Sequence, residues 1–88
     1  MPYIEQADRD KWDNDVLNEI FDKIDNAGEL NYMFTLIAHN YIKRKGLRYQ
    51  YTNNVTGALD DAKAEFRRRI VASYEDKKIE ENGDVLKC

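Results

Sequence analysis

Nine residues that can hold an anion and a flat ring fall within fourteen positions: Tyr41, Lys43, Arg44, Lys45, Arg48, Tyr49, Tyr51, Asn53 and Asn54. Arginine offers a planar fork of donors matched to phosphate, tyrosine a stacking face, and asparagine a donor–acceptor pair for a base edge. Together they suit a phosphorylated, base-bearing ligand. His39 is the only histidine. With no second His and no upstream Cys, the spacing of a metal site is missing. With no evident Ser or Cys nucleophile there is no triad to build around it. His39 reads as a contact residue that hydrogen-bonds a ligand or a neighbouring subunit. No catalytic residue, metal ligand or cofactor is expected.

Carboxylates offer a competing chemistry. Glu19 and Asp22 are one helical turn apart, as are Asp61 and Glu65. Two such pairs on facing helices can hold a divalent cation, as in all-helical nucleotide pyrophosphohydrolases. Glu65, however, stands three and four residues before Arg68 and Arg69, the spacing of surface ion pairs.

Charge is unevenly spread along the 88 residues. Residues 1–30 carry nine acids and three bases, residues 31–59 four bases and no acid, and residues 60–88 eight acids and seven bases. A basic middle inside an acidic frame favours a small anion over a long polyanion, because the frame repels a duplex. Nucleic acid is the least favoured partner. No apolar run reaches the ~18 residues of a membrane span, and the acidic N-terminus is unlike a signal peptide. Cys88 is the one cysteine, so no disulfide can close within the chain. A reducing cytosol fits best, with Cys88 read as an exposed end.

The elements that position these groups are helical. Pro2, Tyr3 and Ile4 form an apolar hook. Asp13 is an N-cap candidate for an amphipathic helix whose apolar face is Val16, Leu17, Ile20, Phe21 and Ile24. Asp25 to Gly28 reads as a turn. A central helix from about Glu29 to Lys45 follows, with Gly46 suited to its C-terminal cap. At about 100° per residue, Leu30, Met33, Phe34, Ile37 and Tyr41 share one side, while Tyr32, Leu36, His39 and Lys43 share nearly the opposite one. Two apolar faces need two covers. Leu47 to Tyr51 reads as a loop. A third helix is expected to start near Thr52–Asn54, with its free N–H groups beside the basic cluster. It carries the stripe Val55, Leu59, Ala62, Phe66, Ile70 and Ser73, continues towards Glu81, and bends near Ser73. Asn82-Gly83-Asp84 is a turn before a short tail.

The segments MPYI, GELNY, HNYIKRKGL-Y, N-V-GAL--AK-EF-RR and YEDKKIEENGDV resemble a family of small proteins of tailed phages and prophages, over nearly the whole chain. That family's pattern has proline where this chain has Ser73. The resemblance implies a virus-encoded accessory protein in the bacterial cytosol and brings no enzymatic activity with it.

The expectation is one all-α domain over residues 1–88, with three main helices and an N-terminal hook, forming a homo-oligomer through the central helix and parts of the third. The leading function is non-catalytic sequestration of a small anionic nucleotide signal between subunits, a counter-defence sponge. Arg44, Lys45, Arg48 and Asn54 would bind phosphate, Tyr49 and Tyr51 would stack, and His39 would donate from the second face. The alternatives are an inhibitor or adaptor that docks on a host or phage enzyme through Tyr32, Leu36 and His39 and, third, a metal-dependent nucleotide hydrolase.

Overall fold

The computed structural model describes residues 2–86. Among them the chain is helical and contains no strand. Cys88, and the expectation attached to it, lies outside the described residues. The chain divides into two units, one spanning Tyr3–Val55 and the other gathering Pro2 with the residues from Thr56 onward.

In the first unit the hook leads into a single helical turn, α1 (Gln6–Arg9), within a charged run. The Arg9 Nε donates to the Ile4 carbonyl at 2.8 Å and so ties the hook to that turn. Helix α2 (Asn14–Phe21) starts at the expected cap: Asp13 Oδ1 accepts from the backbone N–H of Asp15 at 2.9 Å and of Val16 at 3.4 Å. It ends a turn earlier than the apolar pattern predicts, leaving Ile24 in the following turn.

Helix α3 (Ala27–Lys45) begins before Glu29. Asn26 is its N-cap, with Oδ1 accepting from the Glu29 N–H at 2.9 Å. Glu29 reaches back, its Oε1 accepting from the Asn26 side chain at 3.0 Å and the Asp25 N–H at 3.1 Å. This reciprocal arrangement resembles a capping box and satisfies donors that the first helical turn leaves open. Gly28 therefore lies inside the helix and does not precede it. At the other end Gly46 has φ 104° and ψ 154°, and its N–H donates to the Ile42 carbonyl at 2.7 Å. The positive φ matches a glycine stop, though the ψ differs from the left-handed helical value expected there.

Helix α4 (Tyr49–Phe66) corrects the loop expected over Leu47–Tyr51. The Arg48 carbonyl accepts from both Tyr51 and Thr52 N–H at 3.0 Å, so the helix is under way three residues before the polar residues that looked like caps. Thr52 is occupied otherwise, its Oγ1 donating back to the Tyr49 carbonyl at 2.8 Å. After Thr56 the chain belongs to the second unit.

There α4 passes into a π-helical turn, Arg67–Val71, and then α5 (Ala72–Asn82). The Ala72 N–H bonds the Arg67 carbonyl, five residues back, and the flanking Phe66 and Ala72 keep right-handed helical angles. The irregularity expected near Ser73 is thus an extra residue absorbed in one wide turn. Ser73 Oγ donates to the Arg69 carbonyl at 3.0 Å, inside that turn. Gly83, at φ 87°, ends α5.

None of the described residues is buried in either unit. On α3, Leu30, Phe34 and Ile37 on one side and Tyr32 on the other are all exposed.

Candidate anion-binding site

The candidate residues lie in the first unit, on the last turns of α3, the corner after it and the first turns of α4. Lys43, Arg44 and Lys45 close α3, where the exposed carbonyls and the helix dipole favour positive charge. Gly46 lets the chain leave the helix, and Arg48 stands immediately before α4. All four cations are exposed. Among the described residues no ion pair ties any of them down, because the acid-free span 31–59 surrounds them. The N–H groups of Tyr49 and Gln50, ahead of the first backbone bonds of α4, lie at this same corner. Two large side chains stand out from it, Leu47 at 84% exposure and Tyr49 at 82%.

The aromatic and amide groups separate into two sets. Tyr51 and Asn54 come together through Tyr41. The Tyr41 and Tyr51 rings meet edge to face, with centroids 6.3 Å apart and planes at 74°, and Asn54 Nδ2 donates to the Tyr41 hydroxyl at 3.2 Å. This cluster links α3 and α4 through side chains, and Tyr41 and Tyr51 are both half-buried. Tyr49 is two residues from Tyr51 on the same helix, about 200° around it, and takes no part. Its whole ring is available. His39 is exposed on α3, about 160° from Tyr41, so it shares a side with Lys43 and not with the tyrosine cluster.

The arrangement offers four exposed cations and one exposed tyrosine ring at the same corner, with a tyrosine–asparagine cluster joining the two helices that form it. Tyr49 and Tyr51 share a role only in a loop, and on α4 they separate. Lys43 is as exposed as Arg44, adjoins it, and joins the ligand-facing cations.

A family model described as Domain of unknown function (DUF6899) matches residues 1–85. The chain belongs to DUF6899. The match spans both units of the chain, and the family brings no activity with it. No curated protein and no solved structure matches this DUF6899 chain.

Among the described residues no group of three His, Cys, Asp or Glu side chains is placed to hold a metal ion. Glu65 instead takes a two-pronged contact from Arg68, Nη2 to Oε1 at 2.6 Å and Nε to Oε2 at 3.2 Å. No helix among the described residues is long and apolar enough to cross a membrane.

Proposed function

We propose that this DUF6899 protein binds and sequesters a small anionic nucleotide, without chemical conversion, at the α3–α4 corner where subunits of a homo-oligomer meet. The observation that carries the reading is the set Lys43, Arg44, Lys45 and Arg48, four exposed cations that form no ion pair among the described residues, beside an 82% exposed Tyr49. A phosphate group supplies the missing negative charge, and Tyr49 supplies a stacking face for the base. Arg44, Lys45 and Arg48 hold phosphate. Tyr51 and Asn54 act from behind, keeping the corner in shape, with the Asn54 carbonyl oxygen left to accept from a ligand. His39 donates from the other side of α3, towards a site built with a second copy. Exposed apolar side chains on α3, Leu30, Phe34 and Ile37 on one side and Tyr32 on the other, support self-association.

The likeness to phage and prophage proteins gives this activity a setting. A non-catalytic nucleotide trap in the bacterial cytosol would act against a host defence signal. A thermal melt of the purified full chain against cyclic di- and trinucleotides, ADP-ribose derivatives and ordinary nucleoside triphosphates tests the proposal. Ligand at about 100 times its dissociation constant adds roughly 2.7 kcal/mol of stability, on the order of 10 °C in so small a chain. The expected result is one large shift, lost in Arg48→Ala and Tyr49→Ala. A flat response across the panel sinks the reading.

A second reading rests on α2. Val16, Ile20 and Phe21, with Trp12 one turn before, leave their apolar surface exposed, bordered by Asp13, Asp15 and Glu19. This is the form of a helix that docks into a protein groove. Under that reading the protein is an inhibitor or adaptor, and Phe21→Ala abolishes capture of its partner while Arg48→Ala does not.

A further inference from the structure

The second unit contains one long helix and a device that changes its face. Along α4 and α5, Leu59, Phe66, Ile70 and Tyr74 are all between 44% and 60% exposed, and Ala62 is exposed between them. On an uninterrupted helix Leu59, Ala62 and Phe66 keep within a sector of about 60°, but Tyr74 would fall about 60° beyond its opposite edge. The π turn at Arg67–Val71 absorbs one residue. Tyr74 therefore takes the direction that position 73 would otherwise have, which lies within the sector. The stripe becomes continuous from Leu59 to Tyr74 because of that turn.

The corrected stripe is also symmetric about Phe66. Leu59 lies seven positions before it and Ala62 four before. Ile70 lies four positions after it, and Tyr74 seven after once the extra residue is absorbed. A face with this order matches a second copy of itself running the opposite way: Phe66 meets Phe66 of the other copy, Leu59 meets Tyr74, and the small Ala62 meets the large Ile70. Charge points the same way. Glu65 and Arg69 lie on one flank of the stripe. Antiparallel pairing centred on Phe66 sets each Glu65 within about 3 Å along the axis of the other copy's Arg69. Parallel pairing would instead set Ala62 opposite Ala62 with a gap between, and would carry the flank holding Glu65 and Arg69 to opposite sides of the seam in the two copies, where they cannot meet. A two-fold contact that repeats its own surface is the commonest form of self-association.

We infer that the stripe Leu59–Ala62–Phe66–Ile70–Tyr74, brought into line by the π turn, is the face through which two copies of this chain pair antiparallel about Phe66. This makes the self-association of the proposed reading specific, yet it needs no nucleotide, so the two can fail separately.

The test uses the full chain with Cys88→Ser and no added ligand. Sedimentation equilibrium gives the association state, and nitroxide labels at Ala64→Cys and, separately, Glu80→Cys give the pairing direction. The expected result is a dimer whose label separation grows by roughly 30 Å from position 64 to position 80. Phe66→Asp, at an exposed position, should keep the helical circular dichroism and weaken association by about tenfold or more. A monomer at all concentrations, equal separations at the two positions, or a dimer indifferent to Phe66→Asp overturns the inference.

Discussion

At the scale of single residues, two positions in the first unit set where a helix begins and where one ends. Asp13 caps α2 because a carboxylate one residue ahead of a helix finds the free N–H groups of its first turn. Gly46 stops α3 because the corner demands a positive φ. With nothing within 4 Å of a Cβ built there, Gly46→Ala should cost only the backbone term, about 1–3 kcal/mol. Chemical denaturation checks this, and an unchanged midpoint would show that the corner accommodates another backbone angle. The grouping of the candidate site was only partly legible. Lys43, Arg44, Lys45 and Arg48 gather wherever the corner forms, since they are nearly contiguous. The division of Tyr49 from Tyr51 depends on whether those two residues are helical, and their spacing alone does not decide that.

At the scale of elements, all-α architecture was legible from apolar periodicity, while three boundaries were not. The start of α4 was placed too late because Thr52, Asn53 and Asn54 are good capping types. In the folded chain Thr52 bonds back along its own helix, and Asn54 reaches Tyr41. The start of α3 was obscured by Gly28, which suggests a turn, while Asn26 and Glu29 carried the capping signal three residues apart. Asn26→Ala removes the cap and should destabilise the fold by about 1 kcal/mol, lowering the thermal midpoint by roughly 4–8 °C. The π turn was read as a bend because periodicity analysis assumes a constant turn. Its trace in the sequence is the run Phe66, Ile70, Tyr74. Two successive steps of four drift around an α-helix and stay in line only where a turn is wide.

At the scale of the whole molecule, the chain's size and its exposed apolar surface point in one direction. A chain of 88 residues has little interior to offer, and none of its described residues is buried. Apolar side chains remain open on α2, on both sides of α3, and along the aligned stripe of α4 and α5. Native mass spectrometry of the full chain with the nucleotide panel tests self-association and the nucleotide site at once. The expected result is an oligomer carrying whole nucleotides, which are released unaltered on denaturation. Arg48→Ala and Tyr49→Ala should yield the same oligomer without them. A chain that stays bare with every nucleotide offered, or that returns any of them cleaved, would contradict the proposed reading.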